Sequence, residues 1–83
     1  MRVLVVEDDD SLMGLLRYAL EDAGLVISEF TSGTAAAAAL LGDAPPVVPR
    51  VILLDIDLPG RSGVSLLRAL HASEATHRVR VVM

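Results

Sequence analysis

Cysteine is absent from this sequence, so neither a disulfide scaffold nor a thiolate metal site is open to it. Lysine is absent too: all seven basic residues are arginines, set against eleven acids for a formal charge of −4. An acidic chain of this kind does not bind a polyphosphate backbone by counterion release, so direct nucleic acid binding is not expected. Tyr18 and Phe30 are the only aromatic rings, which excludes a base-stacking platform. The two histidines, His71 and His77, are too few for a zinc cluster by themselves. No apolar run approaches the roughly 18 residues of a membrane span, and the first such run meets Glu7 at once. Neither a membrane segment nor a signal peptide is expected. What the chain does have is 53% hydrophobic residues over a length of 83, far above what disorder allows. A chain this short buries only about 60–65% of its unfolded surface, so it is one domain or less. The expectation is a soluble, cytoplasmic globular domain, whole or in part.

Apolar and polar runs alternate along the chain in a regular order. Arg2 to Val6 is short, β-branched and nearly continuous, as in a strand buried on both faces of a parallel sheet. Leu12, Leu15, Leu16, Ala19, Leu20 and Ala23 recur at spacings of three and four, which predicts one apolar stripe on a helix. Asp9 or Asp10 is placed to cap that helix, and Gly24 to end it. Leu25 to Phe30 reads as a second strand. Thr34 is placed to cap a second helix running to Leu41, and its five alanines, Ala35 to Ala39, need no reading beyond helix propensity. Gly42 to Arg50 holds Pro45, Pro46 and Pro49 and reads as an extended connector. Val51 to Leu54 is the strongest strand, Ser62 to Ala72 a helix with Leu66, Leu67 and Leu70 inward, and Arg78 to Met83 the start of a fourth strand. Strands alternating with helices predict an α/β fold with parallel strands, right-handed crossovers and helices on both faces.

In open parallel sheets, ligands collect outside the carboxyl ends of the strands. The first strand ends at Glu7, Asp8, Asp9 and Asp10; the third ends at Asp55, with Asp57 two residues on. If these strands are neighbours, Glu7, Asp8 and Asp55 converge. Carboxylates about 5 Å apart repel by roughly 3 kcal/mol per pair at an effective dielectric of about 20. Either a carboxyl pKa rises or a hard cation neutralises the group. Arg61 is the only basic residue in these loops, which favours the cation, and oxygen ligands in small number suit Mg²⁺ or Mn²⁺. Asp9 and Asp10 read as acids at a helix N-terminus. Arg61 reads as a solvated loop residue, His71 and His77 as exposed histidines near a helix end, and Tyr18 as packing or half-exposed on the first helix.

MRVLVVEDDD at Met1 to Asp10 and VILLDIDLPGRSG at Val51 to Gly63 resemble the receiver domain of bacterial two-component response regulators. The similarity runs from residue 1 to residue 83. It implies a flavodoxin-like, CheY-like doubly wound parallel sheet in the order 2-1-3-4, with a fifth strand and the last helices missing, so that 1–83 is a receiver domain incomplete at its C-terminus. It implies that Asp55 is the phosphoacceptor. It implies that Mg²⁺ or Mn²⁺ is held by Asp8 directly, by Glu7 mainly through water, by Asp55, and by the backbone carbonyl of Asp57. Pro59-Gly60 matches the loop turn and Gly63 the glycine before the third helix. The family's switch Ser or Thr and its phosphoryl-pairing Lys have no counterpart here, because the chain stops before either position. Asp57 places an acid where the family tunes phosphoryl lifetime.

The partner implied is a sensor histidine kinase, with an output domain or effector that the sequence does not identify. Slow autodephosphorylation rather than catalytic turnover is implied. Two other readings remain. Asp55-Ile56-Asp57 fits the D-x-D of haloacid dehalogenase-type Mg²⁺-dependent phosphohydrolases, but Leu58-Pro59 replaces the small hydroxyl residue and Glu7 and Asp8 go unexplained. A pseudo-receiver, binding without phosphorylation, is the other. An open fourth strand, with Val79, Val81, Leu12 and Leu16 partly uncovered, predicts a dimer or domain exchange.

Overall fold

A computed structural model describes residues 1–42 and 48–83 of the chain. The elements follow the order β1 (Arg2–Val6), α1 (Asp10–Asp22), β2 (Val26–Phe30), α2 (Gly33–Leu41), β3 (Val51–Leu54), α3 (Gly63–Ala72) and β4 (Arg80–Val82). The four strands are parallel and stand in the order β2-β1-β3-β4, as the resemblance implied. β1 is buried on both faces from Val3 to Val6, and β3 is buried on one face at Ile52 and Leu54 and partly buried on the other at Val51 and Leu53, which is why both read as unbroken apolar runs.

Strand periodicity sorts these residues between two cores. Leu4, Val6, Ile52 and Leu54 face Ala36 and Leu40 of α2 and Leu66 and Leu70 of α3. Val3 and Val5 face Met13 of α1, with Leu16, Leu20 and Leu53 beside them. One helix therefore covers one face and two helices cover the other. The buried arc of α1 is Met13, Leu16 and Leu20. It is rotated from the expected stripe: Leu12 and Leu15 are exposed. One helix on a sheet buries a narrower arc than its apolar residues span, and Met13 is the most deeply buried residue of it.

The caps follow from local hydrogen bonding. Asp9 caps α1, its carboxylate accepting from the amides of Ser11 and Leu12 at 2.9 and 3.1 Å. Gly24, at φ +85°, follows the end of α1. Thr34, the expected cap of α2, lies inside its first turn. Ser32 is the cap instead: its backbone is extended, and its Oγ accepts from the Ala35 amide at 3.1 Å. A cap must precede the first helical residue, so a start at Gly33 excludes Thr34. Ser62 caps α3 in the same way through the Ser65 amide. Of the connector Gly42 to Arg50, the segment 43–47 with Pro45 and Pro46 lies outside the described residues. The fourth strand begins at Arg80 rather than Arg78, because 73–79 form turns in which buried Thr76 donates its hydroxyl to the Leu70 carbonyl at 2.7 Å.

Candidate metal centre

Val6 of β1 and Leu54 of β3 are register partners, so the residues that follow them emerge side by side. The Asp55 amide donates to the Val6 carbonyl at 3.1 Å, and the Glu7 amide donates to the Phe30 carbonyl of β2 at 3.0 Å. These bonds fix both backbones one step beyond the strands. One carboxylate oxygen from each of Glu7, Asp8 and Asp55 then lies within 4.8 Å of the others. The convergence expected for neighbouring first and third strands is present. Asp57 is exposed, and its amide donates to Asp55 Oδ1 at 3.4 Å, which turns the loop back toward the Asp55 side chain.

The three acids sit in different environments. Glu7 is 9% exposed, Asp55 partly exposed and Asp8 exposed. Burial raises the Glu7 pKa above its ordinary value, and the nearby charges of Asp55, Asp8 and Asp9 raise it further. A hydrogen bond from the Asp9 amide to Glu7 Oε1, at 3.1 Å, opposes this without cancelling it. Among the described residues, no basic side chain pairs with this crowded group of negative charges. Arg61 is turned to α3, where its Nε donates to Ser65 Oγ at 3.1 Å. An all-oxygen donor set with one ligand on a buried strand end and two nearer solvent fits a small hydrated divalent cation, bonded at about 2.1 Å with waters completing the shell. An open cleft of about 240 Å³ adjoins the cluster, lined by Glu7, Asp55, Leu16, Leu53, Val82 and Met83 among others.

The loop from Asp55 to Gly63 depends on Gly63. The Gly63 amide donates to the Ile56 carbonyl at 3.0 Å, and a Cβ on Gly63 would stand 2.9 Å from Ile56 Cα. No side chain fits there, so only glycine lets α3 start so close to Asp55 and Ile56.

Comparison with known proteins agrees with this architecture. Residues 3–83 match the response regulator receiver domain. The chain is 38% identical over 81 residues to the transcriptional regulatory protein FixJ of Azorhizobium caulinodans, covering 98% of this chain and 36% of FixJ. The Mn²⁺-bound form of response regulator Rcp1 superposes with a TM-score of 0.87 at 27% identity, over 96% of this chain and 61% of that one. The receiver domain of sensor histidine kinase PA1611 from Pseudomonas aeruginosa PAO1, with a magnesium ion in its active site cleft, gives 0.85 at 25% identity, over 96% and 62%. The chain belongs to the response regulator receiver domain family. It spans about a third of FixJ's length. The haloacid dehalogenase and pseudo-receiver readings are not favoured: the family match runs through both acidic strand ends, including the Glu7 and Asp8 that a dehalogenase leaves idle.

No helix among the described residues is long and apolar enough to cross a membrane.

Proposed function

We propose that residues 1–83 form the phosphoacceptor part of a cytoplasmic response regulator, and that Asp55 receives a phosphoryl group from a sensor histidine kinase. The observation that carries this reading is the meeting of Glu7, Asp8 and Asp55 within 4.8 Å at the ends of adjacent strands of a receiver fold. Glu7, Asp8, Asp55 and the Asp57 carbonyl would hold Mg²⁺ or Mn²⁺. When bound, the ion supplies charge cancellation for an incoming phosphoryl dianion that three carboxylates would otherwise repel.

The residues themselves do the placing. An Asp55 carboxylate oxygen attacks phosphorus in line as the P–N bond of the phosphohistidine breaks. The imidazole leaves with the electron pair of that bond. Phosphoryl transfer is largely dissociative and asks mainly for position, so a weak nucleophile held rigidly at a strand end suffices. Glu7 is fixed by the Asp9 and Phe30 contacts, and Asp8 stays near solvent where ligand exchange is fast. The acyl phosphate on Asp55 then hydrolyses slowly, without substrate turnover. Asp57, exposed beside it, places a charge where attacking water would be oriented or repelled. Output, in this reading, belongs to further sequence in the full regulator.

Incubation with acetyl phosphate and Mg²⁺, followed by intact mass, tests the reading. The expected result is one added phosphoryl group on the wild type and none on Asp55→Asn. Phosphorylation that persists in Asp55→Asn refutes the assignment.

A further inference from the structure

Contacts at the start of α2 give that helix a part in the site. Gly33, its first residue, is buried against the backbone of Arg61: a Cβ there would stand 2.9 Å from the Arg61 carbonyl carbon and nearer still to its oxygen. Gly60, at φ +75°, lies over the side chain of Thr34, and a Cβ on it would overlap Thr34 Oγ1. Two successive residues of the loop after Asp55 thus rest on two successive residues of α2. Neither contact is a core apolar contact. Both seat the C-terminal half of the eight-residue span 55–62, whose ends are fixed elsewhere by the Asp55 amide on Val6 and by the start of α3 at Gly63.

The contacts close a circuit. Glu7 is tied to Phe30 at the end of β2, and three residues later the chain reaches Gly33. Gly33 touches Arg61, the loop leads back to Asp55, and Asp55 is tied to Val6 beside Glu7. The backbone at Glu7 and at Asp55 is held by this ring, and the α2 contact is the one link between elements in it made without a hydrogen bond.

We infer that Gly33 and Thr34 are positioning residues: the first turn of α2 sets the height of the 56–61 loop, and with it the Asp57 carbonyl and the loop amides facing the acceptor. The inference rests on the metal and phosphoacceptor reading of the site. A Cβ at position 33 must push Arg61 away from α2, and the bond from the Gly63 amide to the Ile56 carbonyl links that end of the loop to the residue before Asp57. Thr34→Ala acts oppositely. It removes the shelf beneath Gly60 while leaving the helix at least as stable, since alanine is the better helix former.

The test is Mn²⁺ binding by the chain, measured from the loss of the free-ion electron paramagnetic resonance signal, well below each variant's unfolding temperature. Amide NMR shifts of 56–61 are recorded without metal. Expected are an affinity drop of about tenfold for Gly33→Ala, the scale of losing an outer-shell support, and a smaller drop for Thr34→Ala. Both should shift the loop amides. Gly14→Ala, whose Cβ would meet nothing within 4 Å, should bind like wild type. Folded Gly33→Ala and Thr34→Ala variants with wild-type affinity and unmoved amides overturn the inference, since a merely structural role changes stability alone. If Gly33→Ala does not fold, Thr34→Ala decides in the same terms. Failure of the wild type itself to bind Mn²⁺ is distinct: it refutes the metal reading and takes this inference with it.

Discussion

Glu7 carries the sharpest conflict between folding and function. Its pKa is raised from about 4.5, first by burial and then by Asp55 and Asp8. The native state therefore holds its proton more tightly than the unfolded chain. Stability is greatest below the unfolded pKa, falls as pH rises through the native pKa, and stays lower above it. Glu7→Gln should remove that decline, so its stability advantage over wild type appears at neutral pH and vanishes below about pH 4. Chemical denaturation across pH, without metal, checks this; parallel curves for the two proteins would refute it. The same variant should bind Mn²⁺ more weakly. Asp8→Ala removes a more exposed carboxylate and should lower Mn²⁺ affinity on the order of tenfold or more, with little change in stability, as calorimetric titration and thermal unfolding would show. Residues of this kind, costly to the fold and useful to a ligand, are what a functional site leaves behind.

Elements hold these residues through caps and helix–sheet packing. Ser32→Ala should cost about 1 kcal/mol, because its oxygen serves an otherwise orphaned amide at the start of α2. The sequence pointed to Thr34 as that cap, and only the turn after β2, which starts the helix at Gly33, gives the place to Ser32. Leu66 of α3 is fully buried between the sheet and α2. Leu66→Ala should cost about 2–5 kcal/mol, a large part of the stability available to so short a chain, and urea unfolding would measure it. On the other face, Arg17 of α1 donates to the Glu29 carboxylate of β2 through Nε and Nη2. That hydrogen bond lowers the Glu29 pKa, so its contribution is present above the ordinary carboxyl range and is lost as pH falls through the lowered value. The apolar stripe of α1 was readable as a helix but not as a direction: of the six expected positions, packing against Val3 and Val5 took Leu16 and Leu20, and added Met13, which the stripe had left out.

At the scale of the molecule, the radius of gyration is 11.8 Å, near the value of about 12 Å expected for a folded chain of this length. Compactness does not cover everything. Leu15, Val82 and Met83 are 68%, 55% and 48% exposed, and β4 has a neighbour on one side only. The 83-residue chain is therefore expected to associate as its concentration rises, and Leu15→Glu to weaken the association. Sedimentation velocity over a range of concentrations checks this; a sedimentation coefficient that stays at the monomer value throughout would contradict it.

Sequence alone determined the alternation of strands and helices, since hydrophobic period is a local property of the chain. It also determined which acids end the two buried strands, Glu7 and Asp8 after one and Asp55 after the other. Tertiary structure decided that those ends are neighbours, because strand order depends on crossovers that no local pattern encodes. It decided as well that Gly33 meets Arg61 and Gly60 meets Thr34. Contacts between residues some thirty positions apart come from the packing of α2 against a loop, and a glycine in a sequence does not say what it is making room for.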